Sequence, residues 1–196
     1  MTAAAYDIHV EQLLERMRRF HSAMTDAGIP YRIVGGLATF IHVFEREPMK
    51  ARMTSDVDAG ISRSDLPRVI ELAKSEVAKN EAAKSGGFRF RHTAGEDMLV
   101  DSDDPRAHSA VHLVFTNEKV RPEYLEAIPS SEPVRTKEGI LIAPVCDLVL
   151  MKLTSFRLKD KVHIQDMDSV GLITAEIEAG LSDALRARLA EVRATE

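Results

Sequence analysis

The sequence lacks the features of secreted and membrane-spanning proteins. Cys146 is the single cysteine among 196 residues, so no internal disulfide can form and a reducing, cytoplasmic setting is expected. No run of about eighteen apolar residues occurs. The first residues have neither a basic start nor an apolar run of signal-peptide length. These absences argue against a disulfide-stapled secreted scaffold and predict a protein that has no membrane partner.

An excess of positive charge is also missing. The chain has 31 Asp and Glu against 26 Lys and Arg, which gives a formal net charge of −5. Proteins that hold nucleic acids over a broad surface depend on Lys and Arg contacts with phosphates. The charge therefore argues against that class, although it leaves open a local basic pocket for one nucleotide.

The pattern of apolar and turn-forming residues predicts an α+β, that is a mixed α/β, fold. Helices are expected over 7–27, 37–44, 65–79, 144–154, 156–170 and 183–193. Strands are expected over 31–34, 57–61, 88–91, 98–100, 110–115 and 140–142, and near Val134. We expect a sheet-containing core over 1–143, with a C-terminal helical extension over 144–196 packed on it as a single structural unit.

The segment from Val34 to Ile61 carries the chemically informative pattern. Gly35 and Gly36 stand between a predicted strand and a predicted helix, where glycines allow a ligand to approach the backbone closely. The amides and the positive dipole end of such a helix are a natural seat for phosphate. The alternative is an ordinary Gly-Gly turn.

Asp56 and Asp58 are separated by one residue on the next predicted strand, so both are expected to point to the same face. Paired carboxylates on a rigid strand suit a hard divalent cation such as Mg²⁺. Such an ion can neutralise triphosphate charge. The alternative is two aspartates on the solvated face of an edge strand. The combination of Gly-Gly with Arg52-x-Thr54 and Asp-x-Asp favours the functional interpretation.

Two downstream features have competing interpretations. Lys152 is the single charge in the apolar run 148–153, so it needs a partner or an anionic ligand. It is equally explained by a lysine that extends to solvent from the helix edge. Arg157, Asp160 and Asp166 have the spacing of a surface ion network on a helix.

These motifs together resemble a known superfamily. Gly35-Gly36-Leu37-Ala38 followed by Arg52-Met53-Thr54-Ser55-Asp56-Val57-Asp58 is similar to the signature of DNA-polymerase-β-type nucleotidyltransferases. Within that superfamily the chain resembles the group of AbiEii abortive-infection toxins and related bacterial proteins. Two later segments resemble that group's C-terminal helices, with His163 where an aspartate is common: Ile142-Ala143-Pro144-x-x-Asp147-Leu148-x-x-x-Lys152-Leu153 and Arg157-x-Lys159-Asp160-x-x-His163-x-x-Asp166. The likeness covers residues 31–168.

The resemblance implies a nucleotidyltransferase fold and a role for each matching residue. The implied metal ligands for Mg²⁺ or Mn²⁺ are Asp56 and Asp58, and the implied catalytic set adds Lys152. His112 is a further catalytic candidate, although it departs from the family pattern. The implied nucleotide contacts, with a nucleoside triphosphate as substrate, are Gly35, Gly36, Arg52, Thr54, Lys152, Arg157, Lys159 and Asp166.

One position departs from the superfamily pattern. Members usually carry a third carboxylate on the strand that corresponds here to 110–115, and this chain has His112 there. Magnesium prefers oxygen ligands over imidazole, whereas a neutral imidazole can accept a proton from a hydroxyl. His112 is therefore a general base, a ligand for a softer metal such as manganese, the mark of lost activity, or an inert sheet residue. Asp101, Asp103 or Asp104 is a further candidate for the missing carboxylate, although their clustering also suits a turn.

Two functions follow as expectations. The first is metal-dependent transfer of a nucleoside monophosphate from a triphosphate to a transfer RNA or a small molecule, with a toxin–antitoxin role and an antitoxin protein as partner implied by the resemblance alone. The second is a catalytically impaired nucleotide-binding or partner-binding module with the same fold. The acidic net charge weakens the nucleic-acid acceptor.

Overall fold

The computed structural model describes residues 3–83, 87–93, 95–102 and 110–195. Within these ranges the strands are β1 (Arg32–Val34), β2 (Val57–Ile61), β3 (Phe88–Thr93), β4 (Glu96–Asp101), β5 (Val111–Phe115), β6 (Val134–Arg135) and β7 (Leu141–Ile142). The helices are α1 (Ala3–Asp26), α2 (Gly35–Arg46), α3 (Leu66–Ala83), α4 (Val145–Ser155), α5 (Leu158–Ser169), α6 (Ala175–Ala179) and α7 (Asp183–Arg193). Helices flank a single sheet, which confirms the predicted mixed α/β class.

The sheet has seven strands within the described ranges, in the order β3-β4-β5-β2-β1-β7-β6. The central strand β2 pairs in parallel with β5 and antiparallel with β1. The outer pairs β3–β4, β4–β5 and β6–β7 are antiparallel, and β1–β7 is parallel. Because β1, β2 and β5 are adjacent, the residues at their ends meet at one place on the sheet.

The core forms where helices cover this sheet. α1 buries one stripe, which consists of Leu13, Met17, Phe20 and Met24 at helical spacing. The Phe20 ring meets the Tyr31 ring edge-on, with 5.2 Å between centroids. α2, α4, α5 and α7 pack against one another, so the segment 144–196 contributes directly to the core. None of the described helices is both long and apolar enough to cross a bilayer.

Several predicted boundaries are corrected by backbone geometry. α2 begins at Gly35, so the two glycines form the first helical turn and do not precede it. The predicted helix 156–170 begins at Leu158 because Phe156 is left-handed, with φ of 52°, and its N–H closes on Lys152 O to end α4. The predicted helix 65–79 begins at Leu66, because Asp65 ends a 3-10 turn whose N-cap is Ser62. The sequence pattern does not predict the short helix α6.

Candidate active site

A cleft of about 1180 Å³ opens beside the ends of β1, β2 and β5. This volume is slightly above the roughly 300–1,000 Å³ that small-molecule sites usually have. One part of its lining, which we call the acidic wall, comprises Asp56, Asp58, Glu96 and His112. Another part, the basic wall, comprises Lys152, Arg157 and Lys159. The cleft therefore combines carboxylates with cations, an arrangement that suits a cation–polyanion pair.

The acidic wall follows from strand pairing. Asp56 comes immediately before β2, and Asp58 is the second residue of that strand. Asp58 lies opposite Val34 on one neighbouring strand and opposite His112 on the other. The sheet thus brings Asp58 and His112 side by side from distant parts of the sequence. Asp56 and Asp58 line the same cleft, as their spacing predicts.

Asp58 is a half-buried carboxylate without a compensating partner. Among the described residues, none donates a hydrogen bond to it or forms an ion pair with it. Burial raises its pKa, and electrostatic interactions with Lys152 and His112 offset this only in part. Asp56, in contrast, accepts a hydrogen bond of 3.0 Å from Ser55 Oγ. A buried charge without a partner costs free energy, so Asp58 is the side chain that most needs a bound cation.

Gly35 and Gly36 fit closely against this carboxylate side. Gly35 has φ of +69°, and a Cβ there would overlap Asp58 Oδ2. A Cβ at Gly36 would lie 2.7 Å from Thr54 Oγ1. Val34, the N-cap residue of α2, provides no side-chain cap, so the first amides of the helix can donate to a ligand in the cleft. Glycine is therefore required by the protein's own packing as well as by the helix start.

The basic wall rests on one buried aspartate. Asp160 is fully buried, and it accepts hydrogen bonds from Lys152 Nζ at 3.2 Å, Arg157 Nε at 2.7 Å and Ser155 Oγ at 2.8 Å. Burial opposes ionisation of Asp160, but the bond from Arg157 and the charge of Lys152 outweigh it and bring its pKa to about 2. Burial lowers the pKa of Lys152, and Asp160 counteracts that effect. Lys152 is thus held by a counter-ion within the protein while it lines the cleft, and it does not extend to solvent.

Two further polar atoms beside this wall have no partner among the described residues. They are Thr154 Oγ1 and His163 Nδ1, both enclosed by protein, and both residues line the cleft. Burial and the positive charge of Lys152 lower the pKa of His163 to about 4. His163 is therefore neutral near pH 7.

The predicted nucleotide contacts separate into two groups. Thr54, Arg157 and Lys159 line the cleft with the glycines and Lys152. Arg52 and Asp166 are not among the described lining residues; Arg52 Nε binds Asp166 Oδ1 at 2.9 Å instead. Burial raises the pKa of Asp166, and Arg52 partly offsets this. The structure thus brings these two residues to each other and not to the cleft.

The search for a third carboxylate leads to a residue that the sequence analysis missed. Asp101 ends β4 and is paired with Arg19 of α1, outside the described lining residues. Asp103 and Asp104 lie outside the described residues. Glu96, at the other end of β4, has Oε2 3.8 Å from His112 Nδ1. Its position depends on the register between β4 and β5, which the sequence does not display.

The donor set at the acidic wall can be tested against a divalent cation. Within the described part of the chain, no group of three or more His, Cys, Asp and Glu side chains is arranged to hold a metal by itself. Asp56 and Asp58 still offer two oxygen ligands, and one of them is uncompensated. Magnesium commonly takes one or two carboxylates together with substrate phosphates and waters, so these residues fit a cation that arrives with a phosphate ligand.

Comparison with known proteins gives the fold. No family model matches the chain, and no curated protein matches it in sequence. A crystal structure of ANT(2″)-Ia in complex with adenylyl-2″-tobramycin aligns over 91% of this chain and 95% of that chain, with a TM-score of 0.52 and 11% identity. A solution structure of the antibiotic-resistance factor ANT(2″)-Ia aligns over 99% and 94%, with a TM-score of 0.48 and 12% identity. The crystal structure, with the sheet and helices described above, shows that this chain has the nucleotidyltransferase fold.

Proposed function

We propose that the protein transfers a nucleoside monophosphate from a nucleoside triphosphate to a hydroxyl-bearing acceptor and releases pyrophosphate. The observation that carries this proposal is Asp58, a half-buried carboxylate without a partner, placed beside Asp56 and the uncapped start of α2. In the transfer, the acceptor oxygen forms a bond to the α-phosphorus, and the bond from that phosphorus to the oxygen bridging to the β-phosphate breaks.

The two walls have complementary roles in this proposal. Asp56 and Asp58 hold Mg²⁺ or Mn²⁺, and the ion, when bound, supplies charge neutralisation and polarisation of the phosphoryl group. The α2 amides at Gly35 and Gly36 donate to phosphate oxygens. Lys152 and Lys159 stabilise negative charge on the phosphates from the opposite side. Lys152 is fixed for this task by Asp160.

Removal of the proton from the acceptor hydroxyl is the step that we assign to a histidine, His112. His112 lies beside Asp58 and has Glu96 at 3.8 Å. In this proposal the neutral imidazole of His112 takes the hydroxyl proton as the acceptor oxygen attacks. Glu96 then stabilises the resulting imidazolium. This pair substitutes for the third carboxylate that the superfamily resemblance leads us to expect.

The proposal also extends to the chemical class of the acceptor. ANT(2″)-Ia has been solved with adenylyl-2″-tobramycin, which is the adenylyl derivative of a small molecule. The net charge of −5 also favours a small-molecule acceptor over transfer RNA for this chain. The AbiEii-like grouping, a toxin role and an antitoxin partner rest on the motif resemblance alone.

A second function is favoured by the histidine on β5. If His112 does not take the proton, the protein binds a metal–triphosphate complex without turning it over and acts as a nucleotide-binding or partner-binding module. The two functions share the binding site and differ in product. Release of pyrophosphate separates them.

The test is binding of the four ribonucleoside triphosphates with Mg²⁺ or Mn²⁺, by calorimetry and thermal shift, to wild type and to Asp56→Asn/Asp58→Asn. Ligand binding raises the apparent stability of the folded state by mass action. We expect metal-dependent binding that the double variant loses, whereas Asp183→Asn, an exposed change in α7, keeps it. Absence of triphosphate binding with both metals would sink the proposal.

Pyrophosphate release is then measured with candidate acceptors. Turnover that His112→Ala lowers by about 100-fold, within the usual contribution of general base catalysis, supports the enzyme. Binding without turnover for any acceptor supports the module.

A further inference from the structure

The connection between β5 and β6 contains a loop whose two ends are joined by backbone hydrogen bonds. Asn117 N donates to Ile128 O at 2.7 Å, and Ile128 N donates to Glu118 O at 2.9 Å. Ile128 is buried. We call residues 118–127 the closed loop, because these two bonds join its ends.

Both flanks of the closed loop are fixed to the rest of the protein. Arg63 binds the two carboxylate oxygens of Glu118, each at 2.6 Å. Downstream, Asp147 accepts hydrogen bonds from Ser131 N at 3.2 Å and Ser131 Oγ at 2.6 Å. A loop held in this way presents its side chains in a fixed position, which lowers the entropic cost of binding a ligand.

The closed loop brings one usable aromatic face to the cleft. Among the described lining residues, the Phe, Tyr and Trp rings are those of Phe115 and Tyr124. The Phe115 ring is almost fully buried, and the Arg63 guanidinium covers it at 3.7 Å. Tyr124 is half-buried, and Arg121 lies 5.9 Å from its ring centroid. Tyr124 is therefore the ring against which a planar ligand can stack.

Tyr124 is also close to the basic wall. The pKa of Arg157 is raised chiefly by its hydrogen bond to Asp160 and, to a smaller extent, by the phenol of Tyr124. The phenol oxygen is thus within electrostatic reach of the guanidinium. Tyr124 lines the same cleft as Lys152 and Asp58, between which the phosphates of the proposed nucleotide would lie.

We propose that Tyr124, held by the closed loop, is the platform on which the nucleobase of the bound triphosphate stacks. This inference rests on the proposed function and adds the place of the base within the cleft. Stacking on an aromatic side chain tolerates every base, because each has a π-face. The platform therefore accepts all four nucleobases, and purines, which have the larger ring area, bind more tightly than pyrimidines.

The experiment compares two probes, ATP and inorganic tripolyphosphate, each titrated calorimetrically with Mg²⁺. Tripolyphosphate has the phosphates without a base. The variants are Tyr124→Ala and Tyr124→Phe. Leu125→Ala serves as the matched control, because Leu125 follows on the same loop, is exposed, and is not among the described lining residues. Circular dichroism and thermal unfolding check that each variant is folded.

We expect Tyr124→Ala to weaken ATP binding by about 10-fold, within the range measured for loss of one base–aromatic stack. Tripolyphosphate affinity should change by less than about twofold, and Tyr124→Phe and Leu125→Ala should bind both probes as wild type does. Unchanged ATP affinity in Tyr124→Ala overturns the platform while leaving the proposed function intact. Equal weakening of both probes also overturns it, since the loop would then support the phosphate side. If wild type binds neither probe, the proposed function fails, and the platform fails with it.

Discussion

The two walls of the cleft satisfy their charges in opposite ways. On the basic wall, the buried Lys152 has Asp160 as its counter-charge, and Arg157 binds the same carboxylate. On the acidic wall, Asp58 is half-buried and has no partner among the described residues. The buried cation of one wall therefore has a protein counter-charge, whereas the buried carboxylate of the other has none among the described residues.

This difference indicates what each wall is built to do. Side chains anchored on a buried carboxylate keep their geometry whether or not an anion is present, so the basic wall is preorganised and still carries excess positive charge. An uncompensated carboxylate lowers the stability of the protein alone and recovers that loss when a cation arrives. A ligand that carries a cation removes the free-energy cost of burying the Asp58 charge. The site should therefore bind cation-bearing ligands more tightly than ligands without a cation. Replacing aspartate with asparagine should therefore lower the stability of the protein on the basic wall and raise it on the acidic wall.

The largest effect is expected from Asp160→Asn. The substitution leaves the buried Lys152 ammonium without its counter-charge, and breaking a buried pair in this way costs about 3–5 kcal/mol of unfolding free energy. Urea denaturation followed by circular dichroism measures the loss. Asp183→Asn, which removes an exposed partner of Arg186, should cost less than about 1 kcal/mol. A loss below about 1 kcal/mol for Asp160→Asn would show that the basic wall does not depend on its buried aspartate.

The matched change on the other wall, Asp58→Asn, should stabilise the protein. The amide is close in size to the carboxylate and removes the charge whose burial raises the pKa of Asp58. Neutral substitutions at strained functional sites commonly gain roughly 0.5–2 kcal/mol. The same denaturation experiment, at pH 7 without divalent metal, shows whether Asp58→Asn raises or lowers the free energy of unfolding. A destabilised Asp58→Asn would mean that the carboxylate has a partner in solution, and the contrast between the walls would disappear.

A third effect concerns His163, the neutral residue beside the basic wall. Its pKa of about 4 lies below the ordinary value of 6.5, so the unfolded chain binds the proton more tightly than the folded one. Stability should therefore fall as pH decreases from about 6.5 to about 4, by about 1–2 kcal/mol after allowance for its partial exposure.

The measurement for His163 is urea denaturation at several pH values for wild type and His163→Gln. The difference between the two should shrink or reverse with acidification, because the variant lacks the titrating ring. Asp160, with a pKa of about 2, keeps its charge through this window. Parallel pH profiles for the two proteins would show that His163 is protonated freely in the folded state.

The smallest effect is expected outside both walls, at Arg52. Its side chain is 68% exposed and pairs with Asp166, so Arg52→Ala should change Mg²⁺–ATP affinity by less than about threefold. The cost in stability should be about 1 kcal/mol or less, as for other exposed ion pairs. Calorimetry alongside Asp56→Asn/Asp58→Asn makes the comparison. A loss of affinity close to that of the double variant would restore Arg52 to the nucleotide site predicted from the sequence.

The sequence predicts the fold well because local signals and the motif order agree. Two glycines at the start of an apolar helix, and Asp-x-Asp at the next strand, are visible in the chain itself. The parallel pairing of β2 with β5 places His112 beside Asp58, as the superfamily resemblance implies. The roles of these residues stay predictions until binding and turnover are measured.

The remaining parts of the site depend on tertiary geometry. Asp160 has the spacing of a surface helix charge, and the packing of α4 on α5 makes it a fully buried anchor. Glu96 lies diagonally opposite His112 on the neighbouring strand. Tyr124 lines the cleft because of the course that a polar loop takes. Arg52 and Asp166 turn toward each other for the same kind of reason. None of these relations has a periodic signal in the sequence.

The order of the two walls along the chain has a consequence for protein synthesis. A nascent chain that has emerged as far as β5 already contains Asp56, Asp58 and His112, whereas Lys152 and Asp160 belong to helices that follow. At about 5–20 residues per second, those helices leave the ribosome some seconds later. The carboxylate side is therefore made first, and the cleft becomes competent only after α4 and α5 have also left the ribosome.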